Sequence, residues 1–323
     1  MSFATTCSAR RPTEVRLPDF FIIGAPKCGT TTLYDWLGQH PEVNAPHKEP
    51  CFFSQDIFPT ASLPTHIPSL HDYAEIFDFK TPTQHISGEA TPKYLYSDMA
   101  LNELKRLRPN AKIIVCLRNP VDLVISFHNQ KLREGVEPET DFLKAWRRTV
   151  DASGHVKTCA PTFNSQINYY FWGAFGERLQ KLFDIFSAEQ VLVISLDEIN
   201  SKPDEVYTTL LNFLQISNDI SINFNASNVG YRVKHLRLHQ IVLKIKKICS
   251  PLLVVFHRFN RGRGTGLLKL LNKYNTEKGT YAVSVSEELR HEIKSVFTKD
   301  TQIAKKFLAS YPVRENNGID RFL

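Results

Sequence analysis

Short apolar runs alternate with helical periods through most of the chain. Phe20 to Ile23, Ile113 to Leu117 and Val191 to Ile194 are runs of aromatic, β-branched and aliphatic residues, which suit strands buried on both faces. A further strand leads through Ile86 to Glu89, where Thr91 and Pro92 end it. Between these runs the apolar positions take a helical spacing. Leu33, Trp36 and Leu37 share one face of a helix opened by Thr30, and Ser97 to Leu107 starts on Ser97 and Asp98 and stops before Pro109. Val121 to Leu132, Phe142 to Ala152, Tyr169 to Phe186, Ser201 to Leu214 and a last helix capped by Ser286 complete the set. Strand, helix, strand at this spacing predicts βαβ units and a parallel sheet flanked by helices. The aromatic stripe of Tyr169 to Phe186 suits core packing, with sugar stacking by Trp172 as the alternative.

The segments between are less regular. His40 to Ser54 is a loop broken by prolines, in which Lys48 and Glu49 read from the residues alone as solvated charges. Residues 55–84 form a surface excursion with a short helix at His71 to Phe79. No linker or composition shift divides the chain. It reads as an extension at 1–18, one α/β domain at 19–312 carrying a basic helical insert at about 232–273, and a loose tail at 313–323.

Chemistry concentrates in DFFIIGAPKCGTTTLYDWL, Asp19 to Leu37. A strand, a glycine-bounded turn and a helix start aim backbone N–H groups and the positive end of the helix at one point, which suits a phosphate. Lys27 adds a cation, and Thr30, Thr31 and Thr32 add hydroxyls. The alternative is an ordinary βα turn with a surface lysine. The concentration of Gly24, Lys27, Gly29 and three threonines within nine residues favours the phosphate loop. The spacing argues against a nucleoside triphosphate: in GxxxxGK[ST] the lysine follows the second glycine, whereas Lys27 stands two residues before Gly29 and Thr30 occupies the lysine's place.

This loop resembles the 5′-phosphosulfate loop of the sulfotransferases that use 3′-phosphoadenylyl sulfate (PAPS), in particular the carbohydrate and heparan-sulfate type. The resemblance runs from Phe20 to about Leu308 and implies a P-loop-containing α/β sheet. It implies that Lys27, Cys28, Gly29, Thr30, Thr31 and Thr32 hold the 5′-phosphate, with Lys27 facing the oxygen that bridges phosphate and sulfate. Arg118, after the third strand, and Ser126, eight residues on, match the family's 3′-phosphate pair in LRNPVDLVIS; a planar guanidinium suits a phosphate bidentately. KEPCFF places Glu49 on the family's catalytic base. Lys278, Gly279 and Thr280 match in part a Lys-Gly-Arg segment that closes over the nucleotide, with threonine replacing arginine. The heparan-type lysine that follows the strand-end glutamate is absent, since Ala90 follows Glu89, and the cysteine-bracketed hairpin of those enzymes is missing.

The resemblance therefore implies transfer of a sulfuryl group from PAPS to a hydroxyl or amine, leaving adenosine 3′,5′-bisphosphate, with no metal required. A glycan is the expected acceptor; a lipid or a small molecule is the alternative. A P-loop kinase of small molecules and a non-catalytic nucleotide- or glycan-binding protein are the rival functions. A net charge of +7 on 323 residues favours acidic ligands. The stretch from Arg232 to Lys247 interleaves basic and aliphatic residues; its readings are a solvated cationic face, a landing surface for an acidic polymer and a membrane-surface helix. No aromatic-interleaved module suggests a nucleic-acid partner. Six cysteines without a CxxC pair predict reduced thiols, and the first 18 residues lack an apolar segment. The expected location is cytoplasmic, or luminal if the chain is the catalytic part of a longer protein. Acceptor identity, O- against N-sulfation and oligomeric state stay open at this level.

Overall fold

The computed structural model describes residues 16–46, 48–57, 66–157, 167–224, 231–233, 275–278 and 285–310. Most of the N-terminal extension, most of the basic insert, the tail after Pro312, Gly279, Thr280 and the Lys278 side chain lie outside the described residues.

Five parallel strands form the central sheet: β1 (Phe20–Gly24), β2 (Val43–Asn44), β3 (Ile86–Ala90), β4 (Lys112–Leu117) and β5 (Val191–Ser195), in the order β2-β3-β1-β4-β5. Every residue of β1 and β3 is buried, as expected of a parallel sheet covered on both faces. Phe20 pairs with Gly88 of β3, and its ring occupies the space a side chain there would need: a Cβ on Gly88 would lie 1.9 Å from Phe20 Cζ. The two-residue β2 lies within the stretch read as loop.

The helices are α1 (Thr30–Leu37), α2 (Leu70–Glu75), α3 (Asp98–Leu107), α4 (Pro120–Glu134), α5 (Phe142–Trp146), α6 (Tyr169–Gly173), α7 (Gly176–Ile185), α8 (Leu196–Ser201), α9 (Pro203–Leu214) and α10 (Glu287–Ser310). A separate two-stranded antiparallel pair joins β6 (Tyr231–Val233) to β7 (Thr276–Lys278).

Three expected helices are divided or shortened. The single helix expected over Tyr169 to Phe186 is α6 and α7, broken at Ala174 and Phe175. The Asp300 carboxylate, from α10, accepts the N–H groups of Phe175 and Gly176 at 2.9 Å and so caps α7. The helix expected to reach Ala152 stops at Trp146, because Asp151 folds its side chain back onto the N–H groups of Ser153 and His155, an alternative to helical bonding. Ser69 caps α2 by accepting the Asp72 N–H at 3.1 Å, and that helix ends at Glu75 rather than Phe79. Trp172 is buried against Tyr96 and Phe127, with ring centroids 4.8 and 5.5 Å away, so its packing is that of the core.

The strand order locates the ligand-binding edge. From β1 the chain moves out toward β2 and β3, whereas from β4 it moves out the other way, toward β5. The carboxyl ends of β1 and β4 are thus the switch point of the sheet, where open α/β folds keep a crevice.

Candidate active site

Both segments expected to bind phosphate lie at that switch point. Lys27 follows β1 and Arg118 follows β4, on adjacent strands. Lys27 has φ of 67° and is half-buried. Loss of water lowers its amine to about 8; the positive charges of Arg133 and Arg118 add to this, while Glu134 opposes it. Arg118 and Arg133 thus both lie near enough to Lys27 to repel its charge, with Glu134 partly offsetting them. Among the described residues neither Lys27 nor Arg118 has a hydrogen-bonded or ion-paired carboxylate. A partly dehydrated cation cluster of this kind is stabilised by an anion entering it.

The start of α1 supplies the neutral part of the same pocket. Gly29 is the N-cap, with φ of 91° and no side-chain cap on the helix. A Cβ there would also lie 2.8 Å from Ile199 Cδ1, so α8 closes over the turn. The first helical bond runs from Leu33 N to Gly29 O, which leaves the N–H groups of Thr30, Thr31 and Thr32 without intrahelical acceptors. Cys28 is buried and its thiol is pushed up to about 12 by loss of water, so it enters the pocket as a neutral residue. The residues present fit a 5′-phosphate held by N–H donors and one lysine.

Ser126 lies on α4 and is half-buried. Asn119 opens that helix by accepting the Val121 N–H at 2.9 Å. Arg133 lies on the same helix seven residues after Ser126, which places the two on one face. Sequence reasoning passed over Arg133, although that seven-residue spacing was its visible signal. A cavity of about 450 Å³ opens between the start of α4 and the start of α10, lined by residues that include Asn119, Asp122, Arg290 and Lys294. It adjoins Arg118 through Asn119 rather than the Lys27 turn. The backbone of Lys278 pairs with Tyr231 at the end of β7.

Glu49 sits on a segment laid along the edge of β3. Its N–H donates to Ala90 O at 2.9 Å, and its carboxylate lies 3.0 Å from Lys48 Nζ with the side chain 41% exposed. Lys48 is not the solvated charge expected from the sequence: its amine also donates to Thr31 Oγ1, so one lysine joins the Glu49 segment to the first turn of α1. Beneath this segment Glu89, at the end of β3, is buried with no exposed surface. Burial raises its carboxyl to about 7, with hydrogen bonds from Thr91, Tyr73 and Tyr94 acting in the opposite direction.

Cys28, Cys51 and Cys116 are buried free thiols. Among the described residues no group of His, Cys, Asp and Glu is arranged to hold a metal ion, and no helix is long and apolar enough to cross a membrane.

A doubly wound parallel sheet with a phosphate loop at its switch point and a second cationic strand end beside it defines a nucleotide-binding transferase fold. The sulfotransferase domain model matches residues 17–240, and the chain belongs to that family. Bifunctional heparan sulfate N-deacetylase/N-sulfotransferase 1 of Mus musculus is 26% identical over 208 residues, 64% of this chain and 23% of that protein. Carbohydrate sulfotransferase 15 of Mus musculus is 26% identical over 246 residues, 62% of this chain and 44% of that protein. The chain thus spans less than half the length of these relatives. A solved sulfotransferase from Alicyclobacillus acidocaldarius shares the fold, with a TM-score of 0.65 and 23% identity over 95% of this chain and 100% of that one.

Proposed function

We propose that this chain transfers a sulfuryl group from PAPS to a hydroxyl or amino group of a glycan. The observation that carries this reading is the placement of Lys27 and Arg118 just past the carboxyl ends of the adjacent parallel strands β1 and β4, at the switch point of the sheet. PAPS bears a 5′-phosphosulfate and a separate 3′-phosphate, so it needs two such anion pockets, where a nucleoside triphosphate needs one continuous cradle. The names of the relatives favour a sugar acceptor, and the net charge of +7 suits an acidic one.

PAPS supplies the sulfuryl group and the leaving phosphate. The N–H groups from Cys28 to Thr32 hold the 5′-phosphate, and Arg118 and Ser126 hold the 3′-phosphate, to which the family resemblance adds Lys278, Gly279 and Thr280. Glu49 takes the proton from the acceptor, a general-base role worth about 10² to 10⁴ in rate. Lys27 neutralises the charge that grows on the leaving oxygen, a contribution of a few kcal/mol. Lys48 orients the Glu49 carboxylate and ties it to α1.

Calorimetric titration with adenosine 3′,5′-bisphosphate, set beside ATP with magnesium, tests the donor assignment. Binding of the bisphosphate with no response to Mg-ATP is expected; preference for Mg-ATP would replace this reading with a kinase. Glu49→Gln is expected to bind the bisphosphate within twofold of the native protein while turnover of labelled PAPS drops at least a hundredfold. An unchanged rate would remove Glu49 from the mechanism.

A further inference from the structure

The segment carrying Glu49 has a backbone shape that needs support from outside. Glu49 and Cys51 have φ of 58° and 54°, on either side of Pro50. Left-handed backbone costs a non-glycine residue about 1 kcal/mol or more, and it persists where surrounding contacts overdetermine it. Those contacts can be named. Besides the Glu49 N–H on Ala90 O, the Cys51 N–H donates to Thr91 Oγ1 at 3.4 Å and the Phe53 N–H donates to the Tyr94 hydroxyl at 3.3 Å. The Phe52 ring stacks on Tyr73 with centroids 4.8 Å apart, and Phe53 meets the same ring edge-on at 5.1 Å.

Thr91, Tyr94 and Tyr73 converge on one group. Thr91 Oγ1 donates to Glu89 Oε1 at 2.6 Å, and the Tyr73 hydroxyl donates to Glu89 Oε2. The Tyr94 hydroxyl lies near enough to the same carboxyl to act on its ionisation. Each hydroxyl has one proton. With the Thr91 proton committed to Glu89, the Thr91 oxygen lone pairs are left facing the Cys51 amide, while the Tyr94 oxygen, beside the same carboxyl, accepts from Phe53. Resting on the reading of Glu49 as the base, we propose that Glu89 is a positioning residue, which fixes the hydroxyls of Thr91, Tyr94 and Tyr73 so that residues 51–53 hold the base segment in its left-handed shape. Fully buried, Glu89 acts through these side chains rather than on either substrate.

Amide hydrogen exchange on the full chain, together with turnover of labelled PAPS on de-N-sulfated heparin, tests this. In Glu89→Gln, which offers one acceptor oxygen in place of two, exchange at Cys51 and Phe53 is expected to rise at least tenfold. The amides of β1 should stay within about threefold, bisphosphate affinity within twofold and KM for PAPS unchanged, while kcat falls at least tenfold. Thr91→Val and Tyr94→Phe remove one hydroxyl each, and each should release a single amide, Cys51 and Phe53 respectively; they decide the matter if the Glu89 variant does not fold. A uniform rise across β1 would make Glu89 a core residue without a positioning role, and unchanged protection at both amides would overturn the proposal. The exchange arm needs no acceptor. An active Glu49→Gln protein would sink the base reading alone, whereas an inactive Glu49→Gln beside a fully protected, fully active Glu89→Gln would sink only the positioning role.

Discussion

The depressed amine of Lys27 makes anion binding at the turn after β1 sensitive to pH in a range where an ordinary lysine is silent. With a value of about 8, Lys27 is charged in about nine molecules in ten at pH 7 and about one in ten at pH 9. The phosphate favours the protonated amine, so affinity is full below the free-site value and declines as pH rises through it. Adenosine 3′,5′-bisphosphate should bind about tenfold more weakly at pH 9 than at pH 7, a loss of about 1.4 kcal/mol. Near pH 8 its binding should take up about half a proton, measurable by calorimetry in two buffers of different ionisation heat. Neighbouring groups do not confuse the signal. The thiols of Cys28 and Cys51 are both raised by burial, the first to about 12. Lys27→Met should bind weakly at every pH with no slope. A native affinity flat from pH 7 to 9 without proton uptake would refute the desolvated cluster, and the same slope in Lys27→Met would assign it to another group.

Arg118→Ala should weaken the bisphosphate by about 1.5–3 kcal/mol and leave adenosine 5′-phosphosulfate, which lacks the 3′-phosphate, within twofold; an equal loss for both ligands would remove Arg118 from the 3′-phosphate. Lys48→Met should lower kcat about tenfold with less than a threefold change in donor affinity, since a general base is worth about 10² to 10⁴ only when it is held in place, and a larger effect on affinity would place Lys48 on the donor instead. Gly88→Ala should cost about 1–3 kcal/mol of stability, seen as a lower Tm, because its new Cβ meets the Phe20 ring of the adjacent strand; an unchanged Tm would mean that β1 and β3 can move apart freely.

Much of this architecture can be read from the chain because it is written locally. The runs that become β1, β4 and β5 are uninterrupted, and Ser97, Pro203 and Ser286 mark helix starts at their own positions. The phosphate loop is equally local, since Lys27 to Thr32 are consecutive. What escaped is set by partners distant in sequence. The break between α6 and α7 depends on a carboxylate on α10, 124 and 125 residues away. Lys48 looks solvated until α1, 17 residues before it, brings Thr31 to its amine. The order of strands around β1, which makes the ends of β1 and β4 the binding edge, has no expression in any single segment.

Backbone strain gathers on the segments to which the chemistry is assigned. Among the described residues the non-glycine residues with positive φ are Lys27, Glu49, Cys51 and Gln215. Gln215 is the ordinary left-handed end of α9. The other three are the lysine of the phosphate loop and two residues of the base segment. Glycine would relieve each of them at no steric cost, yet a glycine at 27 or 49 would remove the amine or the carboxylate on which the proposed mechanism rests. In the proposed mechanism those positions combine a reactive side chain with a turn that side chains resist, and the strain is held by what surrounds them: α8 closing on Gly29 beside Lys27, and the β3 end with its hydroxyls beneath Glu49 and Cys51. Loosening either support should therefore reduce catalysis before it unfolds the sheet, because the strained turns relax at a smaller cost than the buried strands separate.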